Sequence, residues 1–191
     1  AVYRFLPAVH RIVKKIGRLN YDTAVILDCG DLSRVGKAVS FVKQIPVIVN
    51  IDHHVTNTGF GHLQLIDTSA CATAEIVYRL IKQMGLSFGK AVATSIYTGI
   101  LADTGSFRFS NTNKAAFAIC QEMVDIGVDP HNIAQHVYGT YSLSRIKLLN
   151  LALDSIELSD NGKLSIMTLT QKMFDETNTK PEFSNVQNTT V

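Results

Sequence analysis

Two short apolar runs constrain this chain most: TAVIL at residues 23–27 and VIVNI at residues 47–51, each followed at once by an aspartate, Asp28 and Asp52. Runs this short and this rich in β-branched residues suit strands buried on both faces of a parallel sheet. Between them Val35, Val39 and Val42 recur at spacings of four and three, which predicts a crossover helix from about Leu32 to Lys43. Strand, helix and strand form a βαβ unit. The expected fold is therefore α/β, a Rossmann-like, mostly parallel sheet flanked by helices.

Further elements follow from periodicity and caps. Ile76, Val77, Leu80, Ile81 and Met84 line one face of a helix, with Thr68 or Ser69 as its cap and Gly85 as its stop. Val92, Ile96, Tyr97, Ile100 and Leu101 predict a second helix running into Asp103-Thr104-Gly105. Thr112 or Asn113 caps a third, carrying Phe117, Cys120 and Val124 and closed by Gly127; Asp129-Pro130 opens a fourth. A connector helix is expected at 142–156. Beyond it, Ile156 and Leu158 face Leu164 and Ile166 across Asp160-Asn161-Gly162, a turn signal between two strands. Residues 171–191 are polar. The predicted organisation is a main domain at 1–141, the connector at 142–156, and at 157–191 the beginning of a second α/β domain, since so short a piece buries no core alone.

Composition narrows the function classes. With 46% hydrophobic and 18% charged residues the chain is that of a globular protein, and a net charge of +2 does not make a surface that coats nucleic acid. Its apolar runs break off well short of the roughly 20 residues that cross a bilayer, and no signal-peptide pattern opens it. No membrane association and a cytoplasmic location are expected. The three cysteines, Cys29, Cys71 and Cys120, are far apart and read as reduced, mostly buried thiols.

The chemistry is concentrated at strand ends. Ligand crevices in open parallel sheets lie beyond the carboxyl ends of the strands, where Asp28 and Asp52 both fall. Carboxylates brought together repel unless a cation neutralises them. His53 and His54, adjacent to Asp52, supply nitrogen donors that favour a transition metal over magnesium. Asp103, at a helix end, adds a third carboxylate. Such ligation suits manganese, and two such ions about 3.5–4 Å apart would clamp a phosphate and generate a hydroxide nucleophile. On a regular strand adjacent side chains face opposite ways, so either the chain twists after Ile51 or the two histidines have separate roles. His10, His62, His131 and His136 read as surface or capping residues, Asp67 and Glu75 as helix-dipole partners, and Arg11, Lys14 and Lys15 as a solvated face.

Asp28-Cys29-Gly30, Asp52-His53-His54 and Ala102-Asp103-Thr104 occur in the order and approximate spacing of motifs II, III and IV of the DHH phosphoesterase superfamily. The stretches "NIDHHVTNTGFG", "TAEIVYRLI", "YTGILADTGSFRFSNT" and "YSLSRIKLL" resemble the branch of bifunctional oligoribonucleases (nanoRNases) that also dephosphorylate 3′-phosphoadenosine 5′-phosphate. The resemblance runs from about residue 3 to about residue 170. It implies a hydrolase using two Mn2+ ions, with Mg2+ or Co2+ as substitutes, acting on short single-stranded RNA or a nucleotide bisphosphate. Asp28 would bridge the metals, His53 and Asp103 would ligate one of them, and His54 would face the substrate phosphate. Asp52 would orient a histidine from behind, as metal sites usually require. Arg108 and Asn111, which follow motif IV, are further candidates for substrate contact; a homodimer is left open.

Two features of the family are not found in this sequence: an H-x-x-x-D-x-D motif on the first strand, and a C-terminal G-G-G-H motif. The chain is accordingly expected to be an internal fragment that by itself holds at most one ion and has weak activity or none. A manganese inorganic pyrophosphatase or a RecJ-like single-strand exonuclease shares the same motif set. A non-catalytic phosphate- or nucleotide-binding module is the alternative from another class; no G-x-G-x-x-G follows the first strand to support dinucleotide binding.

Overall fold

The computed structural model describes residues 2–13, 20–139 and 142–180. The chain divides into two compact units, Ala1–Val137 and Tyr138–Val191. Lys14 and Lys15, read above as part of a solvated face, lie outside the described residues, as do residues 181–191 of the polar tail.

The first unit is built on a parallel sheet of β1 (Thr23–Leu27), β2 (Val47–Asp52) and β3 (Leu63–Ile66), in that order. The α/β expectation holds. β2 is the central strand and is buried along most of its length, whereas β1 is an edge strand that alternates in exposure. Burial on both faces is therefore confined to β2: Val25 and Leu27 are 55% and 48% exposed. The sequence reading did not anticipate β3, whose four residues are too few to establish a period.

The predicted crossover helix is largely replaced. Leu32–Ala38 is a 3-10 segment broken at Gly36, where φ is +67°, and only Val39–Val42 (α1) is α-helical. A glycine in that conformation ends the helical hydrogen-bond ladder, so valine periodicity could not carry the helix through it. The valines still deliver Val42 to the core.

Four helices complete this unit: α2 (Thr73–Gln83), α3 (Lys90–Asp103), α4 (Lys114–Asp125) and α5 (Pro130–Tyr138), the last running one residue past its boundary. α2 packs on β2 and α3, and α3 on α4. The core joins Ile48 and Ile51 of β2 to Ile76, Ile96, Ile100, Ile119 and Met123 of the helices. At Gly99 the approach of α2 is so close that a Cβ would lie 2.7 Å from that of Ala74. Asn113 caps α4, accepting from the Ala116 N–H, and Asp129 accepts from the Asn132 N–H at the start of α5. α2 departs from expectation. It begins at Thr73 with no side-chain cap, because Ser69 is taken up in a turn with Asp67.

Asp67 also pairs with Arg79. Hydrogen bonds from Ser69, then from Arg79, hold its carboxyl at about 2, below the 3.8 of the free side chain. A depressed carboxylate stabilises the fold above its unfolded value, near pH 4, and that contribution disappears as pH falls through about 2. Asp67→Asn should thus lower stability at neutral pH. Denaturant titrations should show its deficit shrinking between about pH 4 and pH 2.

The three thiols are free. Burial pushes Cys120 up to about 12; burial and then Glu75 raise Cys71; burial and then Asp28 raise the half-buried Cys29. A thiol reagent at pH 8 should leave Cys71 and Cys120 unmodified in the native chain, react slowly at Cys29, and count all three after denaturation.

The second unit contains α6 (Leu143–Asp154), capped by Ser142, an antiparallel pair β4 (Glu157–Leu158) and β5 (Ser165–Ile166), and α7 (Gln171–Glu176), capped by Thr170. The hairpin turns at Gly162 as its sequence predicts, with φ +66°. α7 was not anticipated. No helix among the described residues is long and apolar enough to cross a membrane.

Candidate metal centre

Parallel pairing in register, Leu27 with Ile51, brings the next residues, Asp28 and Asp52, to the same rim of the sheet. The Asp28 N–H donates to the Ile51 carbonyl at 3.0 Å. Asp28 then takes φ +60°, left-handed backbone that is costly for an aspartate and that concentrates at functional sites. Its side chain is 57% exposed, and Oδ1 accepts a 2.7 Å hydrogen bond from the Thr73 hydroxyl in the first turn of α2.

β2 ends at Asp52, and the chain turns so that both histidine rings reach one side, their centroids 4.8 Å apart. The chain therefore turns after β2, which leaves the two histidines free to have separate roles. His53 Nδ1 lies 3.2 Å from the Ala70 carbonyl, which can only accept, so Nδ1 carries the proton. In the neutral ring Nε2 is then a lone pair, and it points at two carboxylates: Asp103 Oδ2 at 3.1 Å and Asp28 Oδ1 at 3.7 Å. Asp103 Oδ2 is buried and has no hydrogen-bond partner among the described residues. Burial pushes the Asp103 carboxyl up; His53 offsets this and Asp28 adds to it.

Groups this close need positive charge among them, either a proton on Nε2, which makes an ion pair with Asp103 at 3.1 Å, or a divalent cation that all three can bind. The donor set is one imidazole nitrogen and carboxylate oxygens, which suits Mn2+. His54 belongs to the same cluster, since Asp28, His53 and His54 can each offer a ligand atom within 4.8 Å of the others. Asp103 joins the cluster through His53.

Behind these residues lies a network of which the sequence pointed to Asp52 alone, as a group orienting a histidine. Asp52 is fully buried; one carboxylate oxygen receives His54 Nδ1 at 2.7 Å and the other receives Asn57 Nδ2 at 2.6 Å. Burial opposes its ionisation, and these bonds outweigh it to hold the carboxyl below the usual range. Asn57 also donates to Asn50, and both asparagines reach the Cys29 carbonyl, locking the turn after Asp28 to β2. Asn50, a polar residue within an apolar strand and 0% exposed, was a further signal of this network.

The remaining candidates occupy the loop after α3. Arg108 Nε donates to the Gly105 carbonyl at 2.7 Å. Asn111 Nδ2 donates to the carbonyls of Cys71 and Asp103, and its Oδ1 is buried without a partner among the described residues. Glu75, read as a dipole partner, is instead buried and accepts from the Cys71 N–H and from Asn113. His62, read as a surface or capping residue, accepts the Ile48 N–H at Nδ1.

Residues 1–100 match the DHH family, N-terminal domain. The chain belongs to the DHH family. It is 40% identical over 129 residues to a bifunctional oligoribonuclease and PAP phosphatase NrnA of Thermus thermophilus, covering 65% of this chain and 38% of that protein. With the protein of the same name from Bacillus subtilis it is 31% identical over 122 residues, 62% of this chain and 39% of that one. Among solved structures, an exopolyphosphatase-related protein from Bacteroides fragilis superposes with a TM-score of 0.78 at 29% identity, covering 84% of this chain and 48% of that one. This DHH chain spans less than half the length of these relatives.

Proposed function

We propose that this chain is part of a Mn2+-dependent phosphoesterase that hydrolyses short oligoribonucleotides, 3′-phosphoadenosine 5′-phosphate, or both. The observation that carries the reading is the position of His53 Nε2, 3.1 Å from an Asp103 oxygen and 3.7 Å from an Asp28 oxygen, within a cluster in which Asp28, His53 and His54 can each offer a ligand atom. The likeness to the Thermus and Bacillus proteins supports the substrate class. A divalent ion held by Asp28, His53 and Asp103 would supply Lewis-acid charge to a phosphoryl oxygen and lower the pKa of an attacking water.

Each residue has a task derived from its surroundings. Thr73 positions Asp28 through Oδ1, the same oxygen that lies 3.7 Å from His53 Nε2. Ala70 fixes His53 with Nε2 as its donor atom. Asp52 keeps the His54 proton on Nδ1, leaving Nε2 as the ring position that meets a phosphoryl oxygen and, when protonated, donates to the leaving oxygen. Arg108 has its Nε anchored, and its two terminal nitrogens form a fork for a second phosphate oxygen.

The test is release of mononucleotide from short RNA and of phosphate from 3′-phosphoadenosine 5′-phosphate, with pyrophosphate alongside. It is run on this chain and on the full-length protein containing it, with Mn2+ and with chelator. Mn2+-dependent turnover of one or both nucleotide substrates by the full-length protein is expected. Turnover that survives chelation, or that is confined to pyrophosphate, would overturn the reading.

A further inference from the structure

The loop that follows Asp103 has an unusual backbone. Gly105, Ser106 and Phe107 take φ values of +55°, +62° and +62° in succession. Two consecutive non-glycine residues in the left-handed region are costly, and surrounding bonds must hold them there. Here Thr104 does so: its hydroxyl accepts from the Phe107 N–H and its carbonyl from the N–H groups of Arg108 and Phe109. Asn111 closes the loop by binding the Asp103 carbonyl.

The result is a fixed position for Phe109. A Cβ on Gly105 would lie 2.5–2.7 Å from its Cε1, Cζ and Cε2 atoms, so the ring tip rests directly on the glycine. Yet 48% of the residue stays exposed. Phe107 turns elsewhere and stacks on Phe117 at 5.2 Å. Phe109 is thus an aromatic ring seated on one side, open on the other, in the same closed loop as the Asp103 carboxylate and the Arg108 fork. A half-exposed ring in the loop that follows Asp103 has the chemistry to stack a nucleobase.

We propose that Phe109 is the surface on which the base of the nucleotide substrate stacks, and that it distinguishes nucleotides from phosphate compounds without a base. This inference rests on the phosphoesterase reading above. It adds a specificity-determining contact that pyrophosphate cannot use.

The chain contains no tryptophan, so Phe109→Trp introduces a single indole reporter. In the presence of Mn2+, 3′-phosphoadenosine 5′-phosphate should quench its fluorescence saturably, and pyrophosphate at the same concentration should not. Phe109→Ala should bind the nucleotide about 5- to 150-fold more weakly by calorimetry, with pyrophosphate affinity changed less than about twofold, and Phe109→Tyr should restore nucleotide binding. Absence of quenching, or equal effects on both ligands, would overturn the proposal. If Mn2+ and pyrophosphate still bind in that case, the failure is confined to Phe109; the phosphoesterase reading is decided separately, by Mn2+-dependent turnover in the full-length protein.

Discussion

His53→Ala should weaken Mn2+ binding by this chain by about 100-fold or more, because removing groups that merely orient a metal ligand already costs 10–100-fold. The imidazole lies between the Asp28 and Asp103 carboxylates, with Nε2 3.7 and 3.1 Å from their oxygens. Without it the two carboxylates lose a shared partner and the donor set loses its nitrogen. Thr73→Val removes only the hydroxyl held 2.7 Å from Asp28 and should cost about 10-fold. His131→Ala, at an exposed position, should leave the affinity unchanged. Titration of the free Mn2+ electron paramagnetic resonance signal measures all three. Equal affinity in the parent and in His53→Ala would contradict the assignment.

Ile100→Ala should destabilise the first unit by about 2–5 kcal/mol, the range for truncating a fully buried aliphatic side chain in a core that cannot collapse around the gap. Ile100 is 0% exposed on α3, next to Gly99, where α2 comes closest. Ile100 also carries site geometry: its carbonyl accepts from the Thr104 hydroxyl and N–H, in the turn that follows Asp103. Alanine keeps that carbonyl, so the expected readout is a fall in the urea midpoint. A loss below about 1 kcal/mol would mean that the α2–α3 contact is looser than described.

The parts of this fold legible in the sequence were those set by local rules. β-branched runs ending in aspartate gave β1 and β2, and Asn113, Gly127 and Asp129-Pro130 gave the ends of α4 and α5. Gly36 shows the limit: periodicity reports which residues face inward, while one left-handed glycine decides whether the backbone between them is α-helical. β3 escaped because only tertiary pairing with β2 makes a strand of Leu63–Ile66.

At the site, Asp28, His53 and Asp103 were visible as residue types at strand and helix ends. Of the polar groups behind them only Asp52 was. Thr73 lies 45 residues from Asp28 in sequence, and Asn57 lies 28 from Cys29. Links over such separations are set by packing, and no local pattern announces them. The αL backbone of Asp28 and the turn that brings His54 beside His53 are likewise imposed by the assembled rim.

The most direct measurement is the anomalous diffraction of a crystal of this chain grown with Mn2+. The account predicts a manganese peak within coordination distance of the Asp28 carboxylate, His53 Nε2 and the Asp103 carboxylate. A crystal showing no peak there, or a peak only at some other group of residues, would contradict it.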